Sequence, residues 1–315
     1  MKGKILITGA SGFLARNIYN KITPCVGLEN IILISRQNLK CESECISLND
    51  PCSVSEKDYE FICRENSITT IIHCGAIPKE TILSWGVYER VNILWPLKLA
   101  RAIKKVKGSN FIFISSLGVY GTAPRFLPAE ETHPYMPDGK YHKSKAICEQ
   151  RLLGELLDGT DVSLYILRLN ALYGEGDCGV LMKMLWLYSK YVLPTRASLY
   201  TSFCSVDLVS ELIISILLEK VSGPFICNVS EPPIKVKELF GQFGNDIVGR
   251  LLNVPIMKGK SRYFRFVPWL YNKLALLFED RIYAIERLSD IIGREVKPLE
   301  KFWLYMKYYK EIINK

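Results

Sequence analysis

Through its first half the chain alternates short β-branched runs with helix-length segments, and that alternation limits what it can fold into. Strand-length runs fall at residues 4–8, 31–35, 70–74, 110–115 and 162–167. Between them lie segments of helical periodicity near residues 13–22, 54–65, 88–105 and 141–157. Strands joined by helix-length crossovers lie parallel, because the crossover returns the chain to the edge where it started. Helices then cover both faces, so the expected class is α/β with a doubly wound parallel sheet. After about Leu169 the pattern loosens, and Gly174-Glu175-Gly176, Pro194, Gly223-Pro224 and Pro232-Pro233 break up shorter elements. Helices are expected at 205–220 and 235–243, with a strand at 224–228 between them. The expected division is a main domain over 1–170, with some later elements returning to it, and a smaller mixed lobe over 171–315.

Charge and cysteine usage narrow the function classes. The net charge of +9 is spread along the chain without a block of five like charges, so no nucleic-acid tail is expected. Such an excess suits a basic cleft that attracts phosphates. Ten cysteines are present, but no C-x-x-C pair brackets a second one, and Cys41 and Cys45 stand four apart. His73 and Cys74 are strand neighbours whose side chains point to opposite faces, so no metal is expected. Scattered thiols suit a reducing cytosol. Met1-Lys2-Gly3-Lys4 leads straight into a strand with no signal-peptide pattern. No stretch reaches the ~18 apolar residues of a membrane span. The nearest, 208–218, is interrupted by Glu211. A cytoplasmic location without stable membrane insertion is expected.

The first strand runs directly into Gly9-Ala10-Ser11-Gly12-Phe13-Leu14-Ala15. Small residues between a strand and a helix let the backbone approach a pyrophosphate, which the helix N-terminus then favours. The spacing is G-x-x-G-x-x-A rather than G-x-G-x-x-G. Gly9, Ser11, Gly12, Phe13 and Leu14 are therefore candidate dinucleotide contacts. The second strand ends at Ser35-Arg36. An acidic residue there would bond the ribose 2′-hydroxyl of NAD, whereas an arginine accommodates the 2′-phosphate of NADP. Arg36 leans the expected cofactor toward NADP, with NAD the alternative.

Chemistry concentrates in Ser115-Ser116-Leu117-Gly118-Val119-Tyr120-Gly121 and in Tyr141-His142-Lys143-Ser144-Lys145. Tyr141 and Lys145 are four apart in a helical pattern and face the same way. A free phenol titrates near ~10, too high for a base at neutral pH, and a nearby cation lowers it. Ser116, at a strand end, can hydrogen-bond the substrate oxygen.

In these residues the chain resembles the extended short-chain dehydrogenase/reductases, specifically the NAD-dependent epimerase/dehydratase group acting on nucleotide sugars. Ser116 and Tyr120 match its Ser/Thr and Val-Tyr-Gly element, and Tyr141 with Lys145 its Tyr-x-x-x-Lys pair. Asn92, Glu149, Arg168, Tyr173-Gly174, Val206-Asp207 and Asn228 also fall where that group has similar residues. The resemblance implies a Rossmann domain followed by a nucleotide-sugar lobe, with Ser116, Tyr141 and Lys145 catalytic. It further implies that Lys145 binds the nicotinamide ribose. Asp50 fits the second acid of a D-x-x-D pattern near the adenine, where Ser47 replaces the first. In Thr201-Ser202-Phe203-Cys204-Ser205-Val206-Asp207, Thr201 replaces an arginine that often contacts the substrate's phosphates. Arg168, Asn170 and Arg262 are the expected substrate contacts, with Lys183, Lys190 and Arg196 as further cations.

Members that dehydrate at carbon 6 carry Asp-Glu after the serine; this chain has Leu117-Gly118. The expected reaction is hydride transfer at carbon 4 of a nucleotide-activated sugar, as a 4-epimerase or 4-ketoreductase of surface polysaccharide pathways. The alternatives are a catalytically silent cofactor-binding module and a 4,6-dehydratase. The basic aromatic stretch 262–271 is read as covering the substrate lobe, with a membrane interface as the other reading. The resemblance also implies a homodimer through the helices at 88–105 and 141–157.

Overall fold

The computed structural model describes residues 3–37, 39–78, 83–157, 159–176, 181, 193–195, 198–241, 251–253, 279–302, 304–305 and 309. Strand β1 (Lys4–Thr8) leads into helix α1 (Phe13–Val26), followed by β2 (Ile31–Ser35) and the short β3 (Glu44–Ser47). Helix α2 (Glu56–Glu65) precedes β4 (Ile68–His73), and helix α3 (Trp95–Ile103) precedes β5 (Asn110–Ser116). Helix α4 (Gly139–Leu156) leads to β6 (Ser163–Leu169), and α5 (Val206–Leu217) to β7 (Phe225–Val229).

These strands form one seven-stranded sheet in the order β7-β6-β5-β4-β1-β2-β3. β1 pairs in parallel with β2 and β4, β2 with β3, and β4 with β5. Apart from the added β7, this is the doubly wound order expected, with the switch point between β1 and β4. The central strands are buried along their length, which is why they read as unbroken apolar runs. Ile5, Leu6 and Ile7 of β1 and all of Ile31, Ile32 and Ile34 of β2 lose their solvent exposure entirely.

Local signals account for the helix ends. Ser55 and Asp58 form a capping box at the start of α2, satisfying two otherwise orphaned N–H groups. The single helix expected over 88–105 is instead a turn at Trp85–Tyr88, a π-helical stretch at Glu89–Leu94, and α3. Pro96 explains the break: it has no N–H to donate backward, and its ring crowds the carbonyl one turn earlier. π-Helical turns of this kind gather at functional sites.

The chain divides into two compact units. One comprises Met1–Ser116, Gly139–Arg168 and Asp207–Cys227; the other Leu117–Asp138, Leu169–Val206 and Asn228–Lys315. Residues 207–227 are thus a later element that belongs with the sheet, while 117–138 belong with the second unit. In the second unit, Asn228 ties three segments together: it accepts from Tyr120 Oη (2.7 Å) and donates to the carbonyls of Ala129 (3.0 Å) and Ala284 (3.3 Å). No helix among the described residues is long and apolar enough to cross a membrane.

Candidate active site

The glycine turn sits at the switch point of the sheet. Gly9 has φ +69°, a conformation costly for any side chain, and a Cβ there would lie 2.7 Å from the Cα of Gly75, beyond β4. Gly12 N donates to Gly9 O at 2.9 Å and closes the turn. Gly12 is also the N-cap of α1; no side chain caps this helix end and no acid occupies its first turn. That arrangement fits a dinucleotide pyrophosphate, with the positive end of the helix dipole facing it. Ser11 and Gly12 are exposed, and Phe13 and Leu14 half-buried.

Two further cofactor candidates lie at the ends of β2 and β3. Arg36 is exposed, and its charge acts on the Cys52 thiol. Asp50 is engaged by the protein: its carboxylate accepts from Cys52 N (3.1 Å) and pairs with Arg90.

Of the expected catalytic residues, Ser116 ends β5, and Tyr141 and Lys145 lie one turn apart on α4. The Tyr141 hydroxyl is hydrogen-bonded to Ser116. Lys145 is 2% exposed, and its Nζ donates to Ile114 O at 2.7 Å while lying 4.6 Å from the centre of the Phe113 ring. Burial lowers Lys145 to about 8, against the pull of Cys148, Cys74 and Glu149 in the other direction. The expected acidification of Tyr141 is reversed in the protein by itself. Burial pushes the phenol up to about 12, and only the hydrogen bond from Ser116 opposes it.

The π-helical stretch supplies Asn92, which accepts from Ile77 N (2.8 Å) and donates to Ser144 Oγ (2.9 Å). Ser144 Oγ in turn donates to the Tyr141 carbonyl at 2.7 Å. The segment after β4 is thereby joined to the first turn of α4. His73, at the end of β4, bonds Thr8 Oγ1 through Nδ1 at 2.8 Å and joins the two strands that flank the switch point.

The expected substrate contacts fare differently. Arg168 is 1% exposed on β6 and pairs with Glu149, Nη2 to Oε2 at 2.7 Å and Nε to Oε2 at 3.0 Å. The Glu149 carboxylate thus engages its Nε and Nη2. Asn170 donates to Ser202 Oγ (2.7 Å) and Ser230 Oγ (2.9 Å), so its amide is likewise occupied within the second unit. Arg262, Lys183, Lys190 and Arg196 lie outside the described residues, as does the stretch 262–271.

A further cation stands at Thr201. Arg281 Nη2 donates to Thr201 Oγ1 at 2.6 Å, so a guanidinium stands on the residue where the family resemblance has an arginine. Ser202 Oγ and Tyr200 O hold its backbone, at 3.2 and 3.1 Å. No local signal could have revealed it, because the partners are 80 residues apart. In the same unit, Glu231 is 2% exposed and accepts from Tyr173 Oη (2.8 Å), Ser205 N (3.2 Å) and Leu299 N (2.8 Å). Burial pushes its carboxyl up to about 7. Among the described residues no group of three His, Cys, Asp or Glu could hold a metal.

A serine, tyrosine and lysine at the C-terminal edge of a doubly wound sheet, beside a glycine turn at its switch point, define the short-chain dehydrogenase/reductase class. Within that class the chain belongs to the NAD dependent epimerase/dehydratase family, whose model matches residues 5–189. It is 26% identical over 189 residues to a putative UDP-glucose 4-epimerase of Methanocaldococcus jannaschii, covering 56% of this chain and 60% of that protein. It is 24% identical over 247 residues to the N-acetyl-alpha-D-glucosaminyl-diphospho-ditrans,octacis-undecaprenol 4-epimerase of Escherichia coli O157:H7, covering 77% and 72%. The structure resembles the Bordetella bronchiseptica enzyme WbmG in complex with NAD and UDP, with a TM-score of 0.72, 19% identity, and 98% and 96% of the two chains covered.

Proposed function

We propose that this chain is a nicotinamide-dependent 4-epimerase of a hexose carried on a diphosphate, most directly a nucleoside diphosphate sugar. The observation that carries the reading is the Tyr141–Ser116 hydrogen bond, with Lys145 one helical turn further along the same helix. Tyr141 takes the proton of the sugar's 4-hydroxyl as hydride leaves carbon 4, and Ser116 hydrogen-bonds the same oxygen. Lys145, one turn along α4 and bonded to Ile114 O, would supply positive charge to this region of the site and hold the nicotinamide ribose. A nicotinamide dinucleotide held by its pyrophosphate at the glycine turn of Gly9 and Gly12 would supply the chemistry of accepting the hydride and giving it back. Return of the hydride to the opposite face of the 4-keto sugar inverts carbon 4, and Tyr141 restores the proton.

Several observations support this choice within the class. The residues after Ser116 are Leu117, which is buried, and Gly118, so no carboxyl group is present there for loss of water. Relatives at 23–28% identity carry the name UDP-glucose 4-epimerase, which favours epimerisation over 4-ketoreduction. Retention of Ser116, Tyr141 and Lys145 speaks against a silent cofactor-binding module. A cytoplasmic place in surface polysaccharide assembly belongs to the same reading. So does a homodimer, which would cover the exposed Val87 and Leu94.

A second substrate class follows from Thr201. The resemblance implies a phosphate-contacting arginine there, and Arg281 brings its guanidinium to that residue instead. A rearranged phosphate contact is compatible with a polyprenyl diphosphate sugar, the substrate class in the name of the Escherichia coli relative.

The test is incubation with UDP-, GDP-, CDP- and dTDP-hexoses and with polyprenyl-diphosphate-linked N-acetylglucosamine, separating the carbon-4 isomers afterwards. Interconversion with no net change at the reduced-nicotinamide absorbance band is expected. Stoichiometric consumption of added NADPH would make the protein a ketoreductase. Intact NADH binding with no turnover of any sugar would make it a binding module.

A further inference from the structure

The last three residues of β5 are each gripped by a different residue of one helix stripe. Lys145 Nζ donates to Ile114 O at 2.7 Å, Ser115 Oγ donates to Glu149 Oε1, and Ser116 is bonded to the Tyr141 hydroxyl. Tyr141, Lys145 and Glu149 follow at four-residue spacing and so share one face of α4. From the neighbouring strand β6, Arg168 closes on the other oxygen of Glu149 at 2.7 and 3.0 Å.

This pair is poorly explained as a source of stability. Glu149 is 0% and Arg168 1% exposed, and taking two charges out of water consumes most of what their attraction returns. What the pair does fix is position and charge. Glu149 holds the residue between the two strand-end groups of the reacting centre, and its carboxylate lies one turn beyond the Lys145 ammonium.

We propose that Glu149 and Arg168 are a positioning pair for the reacting centre, with Glu149 acting through Ser115 on the end of β5 and through its charge on Lys145. The inference rests on the catalytic reading of Tyr141 and Lys145. In it, Arg168 anchors the Glu149 carboxylate through Nη2 and Nε.

The groups around Lys145 are Cys148 and Glu149 on its own helix, Cys74 and His73 at the end of β4, and Tyr141 one turn before it. Of these, Glu149 and Cys148 lie on α4 and Cys74 beyond β4, and all three favour the charged lysine. Removing the carboxylate must therefore move the titration of Lys145 to lower pH, and removing the arginine with it must move the titration part of the way back.

The measurement is NMR titration of the whole protein labelled at lysine Cε, with Lys145→Met identifying the resonance. For Glu149→Gln the Lys145 midpoint is expected to fall by about half a pH unit or more. For the double variant Glu149→Gln with Arg168→Gln it is expected between that value and the wild-type one. The double variant leaves no uncompensated buried charge, so it keeps the test open if the single variant does not fold. A Lys145 midpoint at the wild-type pH in the folded variants overturns the proposal, because a merely structural pair has no hold on that titration. Failure of the underlying catalytic reading shows elsewhere, as turnover retained by Tyr141→Phe, and leaves the Lys145 titration as it was.

Discussion

The hydroxyl of Tyr141, in the first turn of α4, is hydrogen-bonded to Ser116 at the end of β5. Two elements separated by the 117–138 excursion thus bring a proton-transfer group and its hydrogen-bonding partner onto one point. Replacing Tyr141 by Phe removes the hydroxyl and leaves the ring. The expected outcome is a turnover loss of ~100-fold or more, the usual contribution of general acid–base catalysis. NADH affinity, followed by nicotinamide fluorescence, should stay within a few-fold of wild type. Turnover near the wild-type rate would remove Tyr141 from the chemistry.

Gly9 tests the cofactor cradle independently of the sugar. Its φ of +69° and the 2.7 Å approach of a Cβ to Gly75 leave no place for a methyl group. Gly9→Ala should push β1 and β4 apart where the pyrophosphate is expected, and cofactor binding should fall at least 10-fold. A folded Gly9→Ala protein that binds NADH as wild type does would move the cofactor away from the switch point.

Arg36 separates the two nicotinamide cofactors. It stands exposed at the end of β2, where a 2′-phosphate would be met. Arg36→Ala is expected to lower NADP affinity several-fold and to leave NAD affinity nearly unchanged. Equal losses for both, or no loss, would detach Arg36 from the ribose.

Glu231 makes a prediction about stability and pH. Its carboxyl is raised from 4.5 to about 7, first by burial, so the folded protein holds this proton more tightly than the unfolded chain does. The resulting stabilisation is fully present below about 4.5, declines as pH rises through the window, and is gone above about 7. A shift of that size corresponds to about 3 kcal/mol. Urea unfolding of wild type and Glu231→Gln should therefore differ progressively between those pH values, with wild type losing relative stability as pH rises. Parallel curves would show that Glu231 does not titrate there.

How much of this could be read in advance follows from burial. β1 and β2 are legible because their interiors, residues 5–7 and 31–34, are unbroken apolar runs of the kind that strands covered on both faces carry. The edge strand β3, Glu44–Ser47, escaped because its Glu-Cys-Ile-Ser is partly exposed and carries no such run. Ser116, Tyr141 and Lys145 were legible through spacing along one helix and one strand end. The Glu149 partner of Arg168 is not legible in the same way, because a charge in a sequence does not say whether it faces a ligand or a buried carboxylate. The helix expected over 88–105 is π-helical over its first part, Glu89–Leu94, ahead of Pro96, a break that helical periodicity alone does not show.

Arg281 is the residue that no local reading could reach, and it yields the sharpest test of phosphate binding. Its guanidinium lies 2.6 Å from Thr201 Oγ1, and its backbone is held by Tyr200 and Ser202, so the side chain is fixed rather than free to wander. If it provides the cation that the resemblance implies at position 201, removing it should weaken UDP binding and leave NADH binding alone. A hydrogen bond from a charged donor contributes ~1.5–3 kcal/mol, which corresponds to a loss of roughly 10- to 100-fold in UDP affinity for Arg281→Ala. Arg281→Lys keeps the charge without the planar fork and should recover only part of it. Calorimetry with UDP, at low and at high salt, reads both variants. The wild-type affinity should fall with salt, and the Arg281→Ala affinity should fall less steeply. UDP affinity unchanged in Arg281→Ala would assign this guanidinium to holding Thr201 alone and would leave the substrate's phosphates to another cation.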